Sequence, residues 1–368
     1  MGLRGKRICI VCSDPGAAQG ALLLNSALRK QGVKISVVAR GAAKKIANRL
    51  GIRIVNRQNA YSGCRPIRFY LQANTFDCVI TGTSLYDDLE RNYIKAARKL
   101  GIYTISFIDW WTNYRQRFIH SRTNKLYLPD VVCVVDKIAA RRCCREFGRS
   151  TRILITGNPY LSRIMKGRNK RGGEKKTLLI QLGLKTSLKT ILYFAEPLYR
   201  GYNQFEIFQK IVSALQKVTE SANTRMNLIV KFHPSGKDPY IYRRYRKIVR
   251  SILEEKCFTK FVNQQYNVGM LIESADYVWG INTTPMLEAM LKGKLVSSLL
   301  PKNHFVDIPF LKRAGFCPSA DAYEQFPRLV KNLLTNEKFV RKAIIRQRRY
   351  KMPKENFVRT ITTLLREN

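Results

Sequence analysis

Apolar residues along this chain come in short runs rich in β-branched side chains. Each run is followed by a small polar or glycine turn, then by a stretch with apolar residues every three or four positions. The runs fit buried strands and the longer period fits helices, so the chain reads as βα alternation. In the first half, strands are expected over 7–13, 35–39, 52–55, 78–82, 103–109, 131–136 and 153–157, with helices between them, such as 17–31 and 88–100. In the second half, strands are expected over 190–196, 227–232, 258–262, 277–281 and 295–299. Helices 204–219, 240–255, 267–274 and 285–292 fall between these strands, and 321–334, 337–349 and 355–366 close the chain.

The rhythm breaks once. Residues 165–176 are polar, glycine-bearing and aperiodic, the signature of an exposed linker. This sets expected domains at 1–165 and 177–350, with 351–368 a C-terminal helix that packs back. Successive βα units with short connections imply an α/β chain of two Rossmann-like, doubly wound domains facing a cleft. Ligands of such sheets bind beyond the carboxyl ends of the strands, so the residues just after each strand are the ones to inspect.

Composition narrows the partners. The 368 residues carry 67 Lys+Arg against 25 Asp+Glu, a formal charge of +42, with 45% apolar residues. That apolar content excludes a disordered tail, a collagen and a coiled coil, while the charge calls for an anionic partner. Nucleic acid, an anionic lipid surface and phosphorylated substrates all satisfy it. Apolar runs such as 131–135 fall far short of the roughly 18–20 residues that span a bilayer. Arg4, Lys6 and Arg7 before 8–12 mimic a signal peptide, but Asp14 ends the apolar part too soon, and a cytoplasmic protein is expected. The nine cysteines are scattered in apolar segments, as buried thiols are. Cys9 and Cys12, three apart on a strand, would point to opposite faces, so no metal or redox pair is expected there.

Acids are scarce, and those at or just beyond strand ends form a short list: Asp14, Asp109, Asp136, Glu196 and, one helical turn on, Glu288. No Asp-x-Asp occurs, which argues against a metal-diphosphate site, and Asp87-Asp88 more simply starts a helix. The loop 13–20, with Asp14 and Gly16, allows a ligand close to the backbone but is neither the Gly-x-Gly-x-x-Gly fingerprint nor a phosphate loop. A tight turn capped by Asp14 explains it equally well. Asp109 precedes Trp110, Trp111, Arg115 and Arg117. A carboxylate beside a Trp pair is suited to a raised pKa and general-base work, and the arginines to an anionic acceptor or lipid. The plainer alternative is that the aromatics pack on a helix and Asp109 pairs with an arginine.

In the second half, His233 ends a strand in Lys231-Phe-His-Pro-Ser235, placed to donate to a phosphate or protonate a leaving group, with Lys231 and Ser235 beside it. Further on, Asn282-Thr283-Thr284-Pro285 opens a helix, with Thr283 at the N-cap. Its free amides and the Thr283 and Thr284 hydroxyls suit a phosphate, and Glu288 suits ribose hydroxyls, although a plain cap gives the same pattern. Glu196 ends another strand, with Arg200 placed to reach a diphosphate or to pair within the loop.

The spacing of Lys-Phe-His-Pro at 231–234 and Asn-Thr-Thr-Pro-Met-Leu-Glu-Ala at 282–289 resembles the donor half of GT-B fold glycosyltransferases. It is similar in particular to bacterial capsule, sialic-acid and polyol-phosphate transferases with a His-Pro and a Ser/Thr-rich motif. The first half resembles polysaccharide-biosynthesis proteins of that fold through 14–16, 108–115, 128–130 and 157–160. The resemblance implies that His233, Thr283 and Thr284 contact the nucleotide phosphate and that Glu288 holds the ribose. In the sialyltransferase-like members an acidic pair followed by Gly supplies the base. Here it is missing, and Asp109, at a comparable strand end, is followed by Trp.

The expected activity is therefore a metal-independent, cofactor-free glycosyltransferase. It would use a nucleotide-sugar and a cell-surface glycan or lipid-linked acceptor, with Asp109 as base. Lys231, Ser235, Asn282, Glu196 and Arg200 would line the donor side, and Asp14, Gly16, Trp110, Arg115 and Arg117 the acceptor side. The basic flank of helix 240–255, with Arg115, Arg117 and 341–351, is expected to rest on anionic lipid at the inner face of the plasma membrane, or to be evenly solvated charge. The rivals are a non-hydrolysing nucleotide-sugar epimerase of the same fold, which would want more acids, a basic nucleic-acid-binding protein and a nonenzymatic scaffold. No specific nucleic-acid motif occurs.

Overall fold

The computed structural model describes residues 2–56, 60, 63–166, 172–196, 202–233, 238–253, 257–281, 283–301, 310–353 and 356–368. Two compact units result: Met1–Arg163 with Met352–Asn368, and Ile164–Lys351.

Unit 1 is built on six parallel strands, β1 (Arg7–Cys12), β2 (Lys34–Ala39), β3 (Cys78–Thr81), β4 (Tyr103–Ile108), β5 (Val131–Val134) and β6 (Arg152–Ile155), in the order β2-β1-β3-β4-β5-β6. Both faces are covered, which is why the strands are near-continuous apolar runs. On one face Ile8, Ile10 and Cys12 join Leu24, Leu28 and the C-terminal helix Phe357–Glu367. On the other, Cys9 and Val11 join Leu71, Tyr93 and Ala96. Cys9 and Cys12 thus lie in separate cores on opposite faces. The C-terminal helix enters its core through Phe357, Ile361, Leu364 and Leu365, with the Phe357 ring 4.8 Å from that of Phe107. Burying such a phenyl is worth about 1.5–3 kcal/mol.

Unit 2 carries five parallel strands, β7 (Thr190–Phe194), β8 (Met226–Lys231), β9 (Cys257–Val262), β10 (Tyr277–Gly280) and β11 (Leu295–Ser298), in the order β11-β10-β7-β8-β9. Its main core joins Tyr193, Leu228 and Val230 to Phe208 and Leu215 of helix Gln204–Ser221, Tyr245 of helix Pro239–Ile252 and Leu333 of helix Phe326–Thr335.

Each sheet has one place where the chain reverses its direction of strand addition. In unit 1 this lies between β1 and β3, where Val11 pairs with Thr81. In unit 2 it lies between β7 and β10, where Phe194 pairs with Gly280. Crevices at such switch points are where open α/β sheets bind ligands.

Three sequence expectations are corrected. Residues 52–55 form no strand: Val55 N donates to Val37 O at 2.8 Å, but the segment otherwise covers the edge of β2 without a ladder. Helix 17–31 is two helices, Pro15–Ala21 and Leu23–Arg29, interrupted at Leu22. The linker is shorter than its composition suggests, because helix Gly172–Gln181 takes up its end and buries Leu178 and Leu179. Residues 167–171 lie outside the described residues.

Candidate functional site

The carboxyl edge of the unit 1 sheet brings together residues from five strand ends. Asp14 follows β1 and caps helix Pro15–Ala21 by accepting from Gly16 N at 3.0 Å. Asp109 follows β4, and its carboxylate packs directly on the Gly16 backbone. A Cβ at Gly16 would lie 1.9 Å from Asp109 Oδ2. Thr83 follows β3, and its hydroxyl accepts from Arg117 Nη1 at 3.1 Å. The same nitrogen donates to Asp109 Oδ1 at 3.3 Å, and Arg117 Nε donates to Thr112 O at 3.3 Å. Beyond β5, Asp136 accepts from Trp111 Nε1 at 2.7 Å and from Ala139 N at 2.8 Å. Beyond β6, Asn158 Nδ2 donates to the Asp109 carbonyl at 3.3 Å.

Burial raises the affinity of Asp14 and Asp109 for protons. It pushes the Asp14 carboxyl up to about 6, and the neighbouring Asp109 charge adds to the effect. Burial also holds Asp109 above the usual carboxylate range against the opposing pull of the Arg117 guanidinium. Two acids that repel one another release their protons as a pair, and both are raised towards the range that suits a general base.

The aromatic loop after Asp109 splits by role. Trp111 is buried on Asp136, and Trp110, half-buried, meets it edge-on at 5.3 Å. Arg115 is exposed, and its backbone amide donates to Glu146 at 2.9 Å. Arg117 is a correction: at 7% exposure, with its guanidinium on Asp109, it lies on no lipid-facing surface. The plainer sequence alternative, an Asp109–arginine pair with a packed Trp, holds for these two contacts and still leaves Asp109 and Asp14 together.

Sequence reasoning missed Glu90 and Arg91 of helix Leu89–Lys99. Glu90 is buried and accepts from Ser13 N at 2.7 Å and from Ser13 Oγ at 2.8 Å, locking the residue before Asp14. Burial pushes its carboxyl up to about 7. Arg91, buried as well, donates to the carbonyls of Ser84 at 2.6 Å and Arg117 at 3.0 Å and ties the loops after β3 and β4.

In unit 2, His233 follows β8, half-buried. Burial, and next the Lys231 ammonium, lower its pKa, which favours the neutral imidazole, a form that can donate a hydrogen bond without carrying charge. Lys231 is 4% exposed, and its ammonium donates to the carbonyls of Asn263 at 2.8 Å and Phe232 at 3.3 Å, tying the ends of β8 and β9. Thr283 stands at the N-cap of helix Thr284–Leu291 with extended backbone, makes no side-chain cap, and its Oγ1 is a buried atom without a hydrogen-bond partner. Thr284 is exposed and Glu288 is buried one turn on. Glu196, two residues beyond β7, is buried; burial raises the Tyr193 and Tyr245 phenols, and the nearby Glu196 charge adds to both. Register puts Glu196 and Thr283 two and three residues beyond the paired Phe194 and Gly280, one on each side of the switch point. Arg200, Ser235 and Asn282 lie outside the described residues.

Known structures share this architecture. UDP-GlcNAc 2-epimerase from Neisseria meningitidis, bound to UDP-GlcNAc, matches 98% of this chain over all of its own length, with TM-score 0.67 and 13% identity. A glycosyltransferase from Rickettsia africae matches 98% of each chain at TM-score 0.65 and 12% identity. MurG from Acinetobacter baumannii matches 99% of this chain and all of its own at TM-score 0.60 and 15% identity. The fold is GT-B-like. No protein-family model matches the sequence, and no curated protein does. Among the described residues no helix is long and apolar enough to cross a membrane.

Proposed function

We propose that the protein is a glycosyltransferase that moves a sugar from a nucleotide-activated donor to a glycan or lipid-linked acceptor without a metal. The observation that carries this reading is the convergence of Asp14 and Asp109 on Gly16 at the unit 1 switch point. Asp109 takes the acceptor hydroxyl proton as the oxygen bonds to the anomeric carbon, and the bond to the nucleotide phosphate breaks with its electron pair on phosphate oxygen. Unit 2, taken by itself, offers groups suited to the negative charge of a nucleotide phosphate: the neutral His233 imidazole, the Thr283 hydroxyl and the free amides at the start of helix Thr284–Leu291. Lys231 positions the strand ends behind His233, and Glu196 and Glu288 flank the nucleoside. UDP-GlcNAc is bound in the Neisseria enzyme of this fold, so a uridine nucleotide is the first donor to test.

The fold alone does not separate this from epimerisation; the acids favour transfer. Inverting a carbon calls for acid and base groups on both faces of the substrate. Asp14 and Asp109 converge on one point, while Glu90 is committed to Ser13 and Asp136 to Trp111 and a helix start. The exposed arginines of helix Pro239–Ile252, with Arg244 stacked 4.5 Å over Phe205, would then face anionic lipid that carries the acceptor.

The test incubates the protein with UDP-, CMP- and GDP-sugars and follows nucleotide release, sugar epimerisation and thermal stabilisation, with a short RNA alongside at low and high salt. Transfer predicts nucleotide release that Asp109→Asn abolishes, and stabilisation that survives high salt. Epimer interconversion without release would overturn it, as would stabilisation by RNA alone.

A further inference from the structure

Unit 1 carries a second recess on the same side as the acid pair, a cavity of about 580 Å3, a volume suited to a small organic ligand. Five segments wall it: Arg40 directly after β2, Gly63 and Cys64 at the start of helix Cys64–Asn74, Tyr86 to Asp88 on the connection after β3, Asn92 and Lys95 of helix Leu89–Lys99, and His120 to Thr123. The cavity adjoins the site already described: Ala43 N, in the helix that starts after Arg40, donates to Ser13 O at 3.3 Å, and Glu90, three residues past Asp87, holds Ser13 from behind.

Its chemistry is that of a sugar site with a positive balance. Tyr86 is 86% exposed at the rim and offers a ring face for stacking. Arg40 holds Asp87 through both Nε and Nη2, a planar array of donors and acceptors, and Asn92 adds an amide. The lining cations are Arg40, Lys95 and Arg122; the acids are Asp87 and Asp88. Asp87 is taken by Arg40, and Asp88 by the buried Arg91 at 2.6 Å and by Ser121, which leaves the acids neutralised. Lys95 sits 5.1 Å over the Tyr127 ring, and Arg122 is exposed with no ion pair among the described residues.

We propose that this cavity is the acceptor subsite and that it takes an anionic saccharide, a sugar bearing a carboxylate or phosphate that Arg122 and Lys95 receive while its ring stacks on Tyr86. The inference rests on the transferase reading and gives that reading its acceptor class.

Titration calorimetry with N-acetylneuraminic acid, glucuronic acid and glucose 6-phosphate tests it, with glucose and inorganic phosphate as controls. Tyr86→Ala and Arg122→Ala, both at exposed positions, are measured beside the parent. At least one acidic sugar should bind the parent tenfold or more tighter than glucose and inorganic phosphate do. Each variant should weaken that binding at least fivefold and leave stabilisation by UDP unchanged. Failure of every acidic sugar to bind, equal binding by both variants, or phosphate binding as tightly as glucose 6-phosphate would overturn the proposal. Loss of any UDP effect, with acidic-sugar binding intact and sensitive to both variants, would sink the donor reading and leave this site standing.

Discussion

The two units share a sheet architecture but fill their strand ends with opposite chemistry. Unit 1 crowds carboxylates there, Asp14, Asp109, Glu90 and Asp136, and burial pushes Asp14 and Glu90 to about 6 and 7. Unit 2 offers donors, the His233 imidazole and the Thr283 hydroxyl at a helix start, with a buried lysine behind them. One edge is suited to accepting a proton, the other to receiving negative charge. That contrast on a shared fold is why function has to be argued from the edge residues and not from the sheet.

The largest break in this contrast is expected from Asp109→Asn. It removes the proton acceptor, keeps the shape and leaves unit 2 untouched, so kcat should fall about 100- to 1,000-fold, the usual weight of a general base. Nucleotide affinity, measured by calorimetry, should not change. Loss of both would mean that Asp109 supports the fold instead of the chemistry.

Gly16→Ala sharpens the geometry. A methyl 1.9 Å from Asp109 Oδ2 cannot coexist with the observed carboxylate position. Overpacking of this kind costs about 1–3 kcal/mol, read from urea denaturation, and activity should fall with it. In an Asp109→Ala background the cost should largely disappear, because the clashing atoms are gone, and a double-mutant cycle gives the coupling directly. An unchanged cost would place the strain elsewhere in the helix start.

How much of this was visible in the sequence follows from how local each signal is. Buried parallel strands write themselves as continuous apolar runs, so eleven of the twelve expected strands are present. The exception, 52–55, has apolar residues in the right places, but pairing is a property of the neighbour's edge, and only Val55 N finds a β2 carbonyl among the described residues. Asp14 and Asp109 stood out because acids are rare and both follow strands. Their meeting at Gly16 joins residues about 95 positions apart, a distance no periodicity encodes. Glu90 was invisible for a sharper reason: Glu90-Arg91-Asn92 reads as a solvated helix face, yet Ser13, 77 positions earlier, takes the carboxylate inside. One sequence reading already paired Asp109 with an arginine, but Arg117 also takes a partner in Thr83, 34 positions away, which its basic neighbours do not show.

On the unit 2 side, His233→Ala and Thr283→Val each remove one neutral hydrogen bond to phosphate. About a tenfold loss of nucleotide affinity, near 1.4 kcal/mol, is expected for each, and for Thr283→Val stability should be almost unchanged, since that side chain makes no cap. Thr283→Val should if anything stabilise the free protein, because it replaces a buried hydroxyl that has no partner. A thermal melt with and without nucleotide separates the two effects. If the valine variant melts lower and binds as before, Thr283 is a structural cap and the phosphate seat is elsewhere.

The smallest effect lies in the acid pair itself and sets its sign. The Asp14 carboxyl titrates at about 6 in the folded chain against an ordinary 3.8, so the folded state binds more protons than the unfolded one between those values. Stability from this group is complete below about 3.8 and is lost as pH rises through about 6. Asp14→Asn keeps the acceptor for Gly16 N but cannot ionise, so its stability relative to the parent should rise between pH 4 and pH 8. With Asp14 half-buried and screened by solvent, the gain is about 1 kcal/mol. Glu90 moves stability in the same direction in both proteins and cancels in the difference. Removing the Asp14 charge also relieves Asp109, so the acid limb of the rate profile should move to lower pH in the variant. A stability difference that is flat with pH, together with an unmoved acid limb, would show that the two carboxylates do not act on one another and that Asp109 works alone.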